Sequence, residues 1–311
     1  MISGPGWHLA CPACGAALGD EAALPPDVRC PGCGAVYPTL AGTGGARSLL
    51  PAGRREHFAA FLADYTKIRL AERRGSDDPA HFLALPGCPP DHPIAWQWAL
   101  RRRTFAALTR QVLPRLGPGL KALDLGAGVG WLSHRLSDLG HHPCAVDLSA
   151  DPQDGLGAAR HYRPLWPRLQ AEFDRLPFPD GEADLAIFNA SLHYSTDYRA
   201  TLAEALRVLR PGGALVVLES PIYRRDESGR RMIEERHADF ARRFGTRSES
   251  IPSREYLTWK ALDDLARDLG IAWRRVTPWY GWRWAMRPWI ARLKRRREPS
   301  RFAILWARKP R

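Results

Sequence analysis

One stretch limits the folds open to this chain more than any other. The residues are Lys121-Ala122-Leu123-Asp124-Leu125, then Gly126-Ala127-Gly128-Val129-Gly130. A short apolar run stopped by glycines reads as a buried strand entering a tight turn. Trp131 to Leu139 then shows helical apolar spacing and ends at Gly140, a helix stop signal. Pro143 to Val146 reads as a second strand, closed by Asp147. Strand, turn, helix and strand in that order specify a parallel sheet with helices packed on it. In such sheets ligands sit at the carboxyl ends of the strands, where the glycines, Asp124 and Asp147 must lie.

The glycine spacing narrows the ligand. A dinucleotide turn is G-x-G-x-x-G, with pyrophosphate on the following helix N-terminus. Here the third glycine comes one residue early and position 131 is Trp. An acid stands two residues before the first glycine, and a strand-end acid follows, suited to accept hydrogen bonds from both hydroxyls of a ribose. This pattern resembles the S-adenosylmethionine (SAM) turn of class I methyltransferases. Two later stretches agree with it in order: "AEFDRLPFPDGEADLAIFNASLHY", and "LRVLRPGGALVVLES" from Leu206 to Ser220. The first is similar to the adenine-binding stretch of the methyltransferases of ubiquinone and menaquinone biosynthesis. The resemblance spans about Lys121 to Ser220. It implies a Rossmann-like, doubly wound, seven-stranded α/β sheet with SAM as cofactor. The cofactor residues it implies are Asp124, Gly126, Ala127, Gly128, Gly130, Asp147, Leu148, Glu172, Phe173 and Asn189. At the adenine positions the family's usual Asp-Ala is Glu172-Phe173 here.

Four of the six cysteines form two pairs, Cys11-Pro12-Ala13-Cys14 and Cys30-Pro31-Gly32-Cys33. Each C-x-x-C turn aims two thiolates at one point, and two such knuckles complete a tetrahedral sulfur shell suited to structural Zn2+. Redox pairs, a metal-free ribbon and an iron–sulfur centre are the competing readings. The segment from Leu9 to Pro51, with "LACPACGAAL" and "VRCPGCGAVYP", resembles the small zinc-ribbon activator of tRNA and release-factor methyltransferases. The glycine-rich "AGTGGARSLLP" departs from that pattern. Cys88 and Cys144 read as isolated buried thiols.

The expected organisation is a zinc-ribbon module over 1–51, a helical cofactor-covering region over 52–115 and a methyltransferase domain over 116–311, with a lid at 222–255. Phe58, Phe61, Leu62 and Tyr65, and Trp98, Phe105 and Leu108, recur at helical spacing and read as core packing. By analogy with the resembling class, Trp96, Arg101 and Arg103 are candidates to cover the cofactor. Tyr256 to Leu269 reads as a helix, Ile271 to Val276 as a strand, and Phe302 to Ala307 as a final strand, antiparallel by the same analogy.

Methyl transfer is an in-line displacement, so the protein must align the groups, exclude water and take a proton from a hydroxyl or amine. His193, in the loop after the fourth strand, is the base candidate because its ordinary pKa is near neutrality; packing or substrate binding is its other reading. Tyr194 and Tyr223 are candidates to shape the pocket. Asn189 is followed by Ala-Ser rather than Pro-Pro, which disfavours exocyclic base amines as acceptors.

The charge distribution bears on the acceptor. The formal net charge is +13, and nearly all of it falls after residue 270, where Glu298 is the single acid. Six of the 12 tryptophans lie there too. Three acceptor readings follow: a small-molecule or lipid-like metabolite, RNA gripped by the ribbon and the basic tail, or a protein partner recruited by the ribbon. The tail, residues 273–311, suits RNA or an anionic membrane surface. In the competing structural reading Trp273, Trp279 and Trp306 pack under the sheet and the Arg run is solvated. With no apolar run long enough to span a bilayer and no secretion signal from Met1 to Ala10, a cytoplasmic location is expected.

Overall fold

The computed structural model describes residues 5–163 and 165–311, apart from the side chain of Ala52. The first strands are short: β1 (His8–Ala10), β2 (Ala17–Asp20), β3 (Asp27–Arg29), β4 (Val36–Pro38) and β5 (Arg47–Ser48). Three helices follow, α1 (Ala52–Ala71), α2 (Pro79–Ala84) and α3 (Ala95–Gln111). Then come β6 (Lys121–Leu125), α4 (Trp131–Asp138), β7 (His142–Asp147), β8 (Arg168–Gln170), β9 (Ala183–Asn189), α5 (Tyr198–Val208) and β10 (Leu209–Leu218). The chain continues with β11 (Ile222–Tyr223), α6 (Asp226–Phe244), β12 (Leu257–Thr258), α7 (Trp259–Asp268), β13 (Arg274–Val276), α8 (Trp282–Ala285), α9 (Arg287–Leu293) and β14 (Ile304–Arg308). Among the described residues no helix is long and apolar enough to cross a membrane.

The main sheet runs β13-β14-β10-β9-β6-β7-β8-β5. It is parallel except for β14, which lies antiparallel to both β10 and β13, as expected for the last strand. Alternate residues feed two cores. Leu123 and Leu125 of β6, with Ala186 and Phe188 of β9, enter one cluster; Ala122, Leu185 and Ile187 enter the other. A strand whose side chains alternate between two apolar layers is buried on both faces. That explains why β6 and β9 carry so few polar residues. Strand order reverses at β6, flanked by β7 and β9, and the crevice at such a reversal is where α/β folds bind ligands.

The sheet has eight strands where seven are expected. The extra one comes from the cysteine-rich segment: Arg47 and Ser48 pair with Leu169 and Gln170, and the Ser48 hydroxyl bonds Gln170 at 2.7 Å. That segment is no separate bead. Trp7, Leu9, Val28, Tyr37 and Leu49 share one core with Leu169, Leu176 and Phe178, and the Trp7 and Phe178 rings lie 5.5 Å apart. A two-residue strand is too short to show periodicity, so the sequence carries no signal for it. At the far edge, Arg274 stacks on Trp306 and Arg275 on Trp259, covering an exposed strand with cations. Of the tryptophans expected under the sheet, Trp306 is buried, Trp273 is half-buried with its indole on the Leu262 carbonyl, and Trp279 is 59% exposed.

Candidate active site

At the carboxyl ends of β6 and β7 lies a cleft of about 810 Å³, its open mouth included. Gly126, Asp147, Leu148, Glu172 and Phe173 line it, five of the ten residues singled out for the cofactor. Gly126 has φ of +77°, and a Cβ there would come within 2.2 Å of Ser191 Cβ and 3.2 Å of the Phe173 ring. Only glycine permits both the conformation and the approach. Ser191 is itself pinned by its hydroxyl, which donates to the Leu125 carbonyl at 2.5 Å.

The Asp147 carboxylate accepts from Gly128 N–H at 2.7 Å and from Ser149 N–H at 2.7 Å. The strand-end acid thus fixes the glycine turn and keeps lone pairs for further donors. Burial pushes its pKa up, against the pull of those two amides. Asp124 is deeper. Its Oδ2 accepts from the Ser133 amide and hydroxyl, while its buried Oδ1 has no partner. Burial raises it to about 7. A buried carboxylate oxygen without a donor marks a place for a cation or an N–H group. Gly130 starts α4 in a left-handed conformation, and Ala127 donates to the Val146 carbonyl. Asn189 ends β9, and Ala190 and Ser191 immediately after it form the wall.

The side of the cleft away from the sheet belongs to α1. Arg54, His57, Phe58, Phe61, Leu62 and Tyr65 present one helical face to it. Arg54 grips Glu172 through Nε and Nη2, the latter at 2.6 Å, a bidentate fork. As expected of core packing, Phe58 and Phe61 are buried in an apolar cluster with Ile251, and the same stripe also roofs the cleft. The helix expected to cover the cofactor, α3, does not reach it. Trp96 is 61% exposed, and Arg103 lies beneath Gly281, whose Cβ position is 2.9 Å from its guanidinium.

A second and larger cavity, about 2030 Å³ with its mouth, adjoins the first and shares Phe61, Tyr65, Ala190 and Tyr194 with it. Its remaining walls come from α3 (Trp96, Leu100, Arg101), from Glu219 and Pro221 after β10, and from α6 (Met232, Arg236, Phe240). Ala190, Glu219, Ser248 and Glu255 also line it, and each has φ between 52° and 58°. Left-handed backbone at non-glycine residues costs about 1–3 kcal/mol each and concentrates at functional sites.

The chamber holds buried charge. Glu219 lies 3.5 Å from Arg101, and its Oε1 has no partner. Burial raises the Glu219 carboxyl despite Arg101 and pushes Arg101 down to about 10. Arg236 pairs with Glu255. His193 lines this chamber rather than the cleft. Burial, helped by Arg236 and Arg101, pushes its imidazole down to about 3. It is neutral at ordinary pH and, for the same reason, a weak proton acceptor. Tyr194 stands in the shared wall, while Tyr223 packs behind against Tyr256 and Arg297.

The four cysteines Cys11, Cys14, Cys30 and Cys33 meet with all sulfurs within 4.8 Å of one another. Cys11 and Cys33 Sγ are 3.7 Å apart, Cys14 and Cys30 Sγ 3.5 Å. A tetrahedral Zn–S4 shell with bonds of 2.3 Å needs sulfurs about 3.8 Å apart. Cys144 is buried and Cys88 partly so.

Residues 123–217 match the family described as a methyltransferase domain. This part of the chain is similar to a methyltransferase domain. The chain is 38% identical over 117 residues to a demethylmenaquinone methyltransferase of Mycobacterium marinum, covering 38% of this chain and 48% of that one. It is 36% identical over 107 residues to a malonyl-[acyl-carrier protein] O-methyltransferase of Hahella chejuensis, covering 33% and 38%. The chain thus spans about half or less of the length of the relatives it matches. A solved SAM-dependent methyltransferase of Thermotoga maritima, described as a possible histamine N-methyltransferase, covers 70% of this chain and 94% of its own at 19% identity, with a TM-score of 0.46. The matched segment holds the glycine turn, Asp147 and β9. It holds neither α1 and α3 nor α6.

Proposed function

We propose that the protein transfers a methyl group from SAM to a small-molecule or lipid-like acceptor. The observation that carries this is the pair of joined cavities. One is built on the SAM-type turn, and the other meets it at the wall of Phe61, Tyr65, Ala190 and Tyr194. The relatives named for demethylmenaquinone and a malonyl thioester support an acceptor of this class.

The residues fit the donor. In this reading Asp124 takes the amino group through its unpartnered Oδ1, and Asp147 and Leu148 take the ribose. Phe173 flanks the adenine. Gly126, Ala127, Gly128 and Gly130 give backbone access, and Asn189 supports the wall. Glu172 clamps α1 over the cleft through Arg54 and retains lone pairs for the adenine amine. Bound SAM supplies an electrophilic methyl on a sulfonium. The chain's own residues then align the acceptor and keep water out. Glu219, with its raised carboxyl and open Oε1, is the better proton acceptor in the chamber. His193, uncharged and weakly basic, is assigned to positioning the acceptor by hydrogen bonding from its free Nδ1. Residues 222–255 close the chamber, and residues 1–51 form a structural ribbon. Its four thiolates would hold one zinc ion, replacing an apolar core that a segment this short cannot build. Nothing among the described residues favours RNA as the acceptor.

Isothermal titration with SAM and S-adenosylhomocysteine tests the donor half: binding in the micromolar range is expected, and absence of heat for both ligands overturns it. Elemental analysis of freshly purified protein tests the ribbon, where one zinc per chain is expected and none rejects it.

A further inference from the structure

The C-terminal basic, tryptophan-rich segment has two faces, and each has its own environment. Its inner face is anchored. Tyr280 shares a 2.8 Å hydrogen bond with Thr104 of α3, Trp284 packs on Phe302 at 5.3 Å, and Arg287 stacks on Trp284 at 3.8 Å. Arg297 bonds Glu235 of α6 at 2.7 Å and the Tyr223 hydroxyl at 3.3 Å. Glu298, the one acid here, accepts from the backbone of Arg224 and Arg225.

The outer face is bare. Trp282, Met286, Trp289, Ile290 and Leu293 recur at intervals of four, three, one and three residues, the period of a single helical stripe. They are 77%, 48%, 67%, 45% and 85% exposed, and Trp279 at 59% extends the row. These six make up half of the large apolar side chains exposed on the described surface. A contiguous patch of this kind marks a partner. Around it stand Arg283, Arg292, Lys294, Arg295 and Arg296, all exposed, and none has an ion pair among the described residues.

From this arrangement we propose that α8 and α9 dock the protein on an anionic phospholipid surface. The stripe lies in the acyl boundary, with tryptophans at the interface and cations on the headgroups. Charge decides among the occupants. A second copy would bring a like-charged patch against this one, which is repulsive. RNA would use the cations and tryptophans but leave Met286, Ile290 and Leu293 uncovered, because aliphatic side chains give bases no stacking partner. An anionic bilayer satisfies both parts. The anchored inner face packs through Trp284 on Phe302, which lines the larger cavity.

The experiment is vesicle sedimentation of the full chain, using phosphatidylcholine alone and phosphatidylcholine with phosphatidylglycerol. Binding to the anionic vesicles at least about tenfold above the neutral ones is expected. W282A/W289A/L293A should lower it by about tenfold or more, and R295Q/R296Q should weaken it and flatten its salt dependence. Melting temperature and SAM binding, measured on each variant, separate failed folding or a failed donor site from failed docking. Equal binding to both vesicle types overturns the proposal. So does a triple variant that still sediments, an RNA oligonucleotide bound independently of the three apolar residues, or self-association that the triple variant abolishes.

Discussion

The cleft over β6 and β7 and the chamber beside it differ in how they are built. The floor of the cleft, under the α1 roof, is made of backbone and of residues close to strand ends: Gly126, Asp147 and Leu148, and Glu172 and Phe173. There a glycine turn and a strand-end carboxylate hold each other, as the Gly128–Asp147 hydrogen bond shows. The chamber is made of side chains from α1, α3, α6 and two strand ends, with charges paired across elements far apart in sequence. The first kind of construction suits the donor of the proposed reaction and the second its acceptor.

That contrast can be tested from either side. The largest effect is expected at the turn. Gly126→Ala drives a Cβ into Ser191 and Phe173, and SAM binding measured by calorimetry should fall at least about 100-fold. Asp147→Ala should cost about 10–100-fold in donor affinity, because two backbone amides and the ribose lose one acceptor. On the other side, Glu219→Gln should lower kcat by about 100-fold and leave the donor dissociation constant within about twofold; a parallel loss of both would merge the two sites.

The smallest effects concern stability, and they have opposite signs. Asp124 titrates near 7 when folded and near 4 when unfolded. It therefore weakens the fold progressively as pH rises through that window. His193 titrates near 3 when folded and near 6.5 when unfolded. Below about 6.5 the unfolded chain takes up a proton that the folded chain refuses, so stability falls as pH drops. Melting curves should show Asp124→Asn gaining on the parent at pH 8 relative to pH 5, and His193→Leu gaining at pH 5 relative to pH 8. A shared sign would place both groups in one environment.

The same contrast governs what could be read from sequence. The turn, Asp147 and the two-faced sheet were legible as local patterns, and the antiparallel last strand through the family resemblance. The roof of the cleft was not. Phe58, Phe61, Leu62 and Tyr65 have the spacing of any core stripe, and only Arg54 and Arg69 on the same face hinted otherwise. Arg69 is in fact forked onto Asp154 of the loop after β7. Trp96 and Arg103 were placed at the cofactor by analogy with the helix before the first strand, but in this chain the earlier helix α1 has taken that position. Glu219 and Arg101 lie 118 residues apart, and no periodicity links them.

The eighth strand sets an order of events during synthesis. The cysteine knuckles are complete once residue 38 has emerged, so their local folding needs nothing later in the chain. Arg47 and Ser48 must wait for Leu169 and Gln170, more than 120 residues downstream, and the core around Trp7 must wait for Phe178. Closing so long a loop is slow relative to local contacts. A nascent chain therefore carries its paired cysteine knuckles beside the uncovered side chains of Trp7, Leu9 and Tyr37. Those side chains stay uncovered until Leu169, Leu176 and Phe178 arrive to close the shared core.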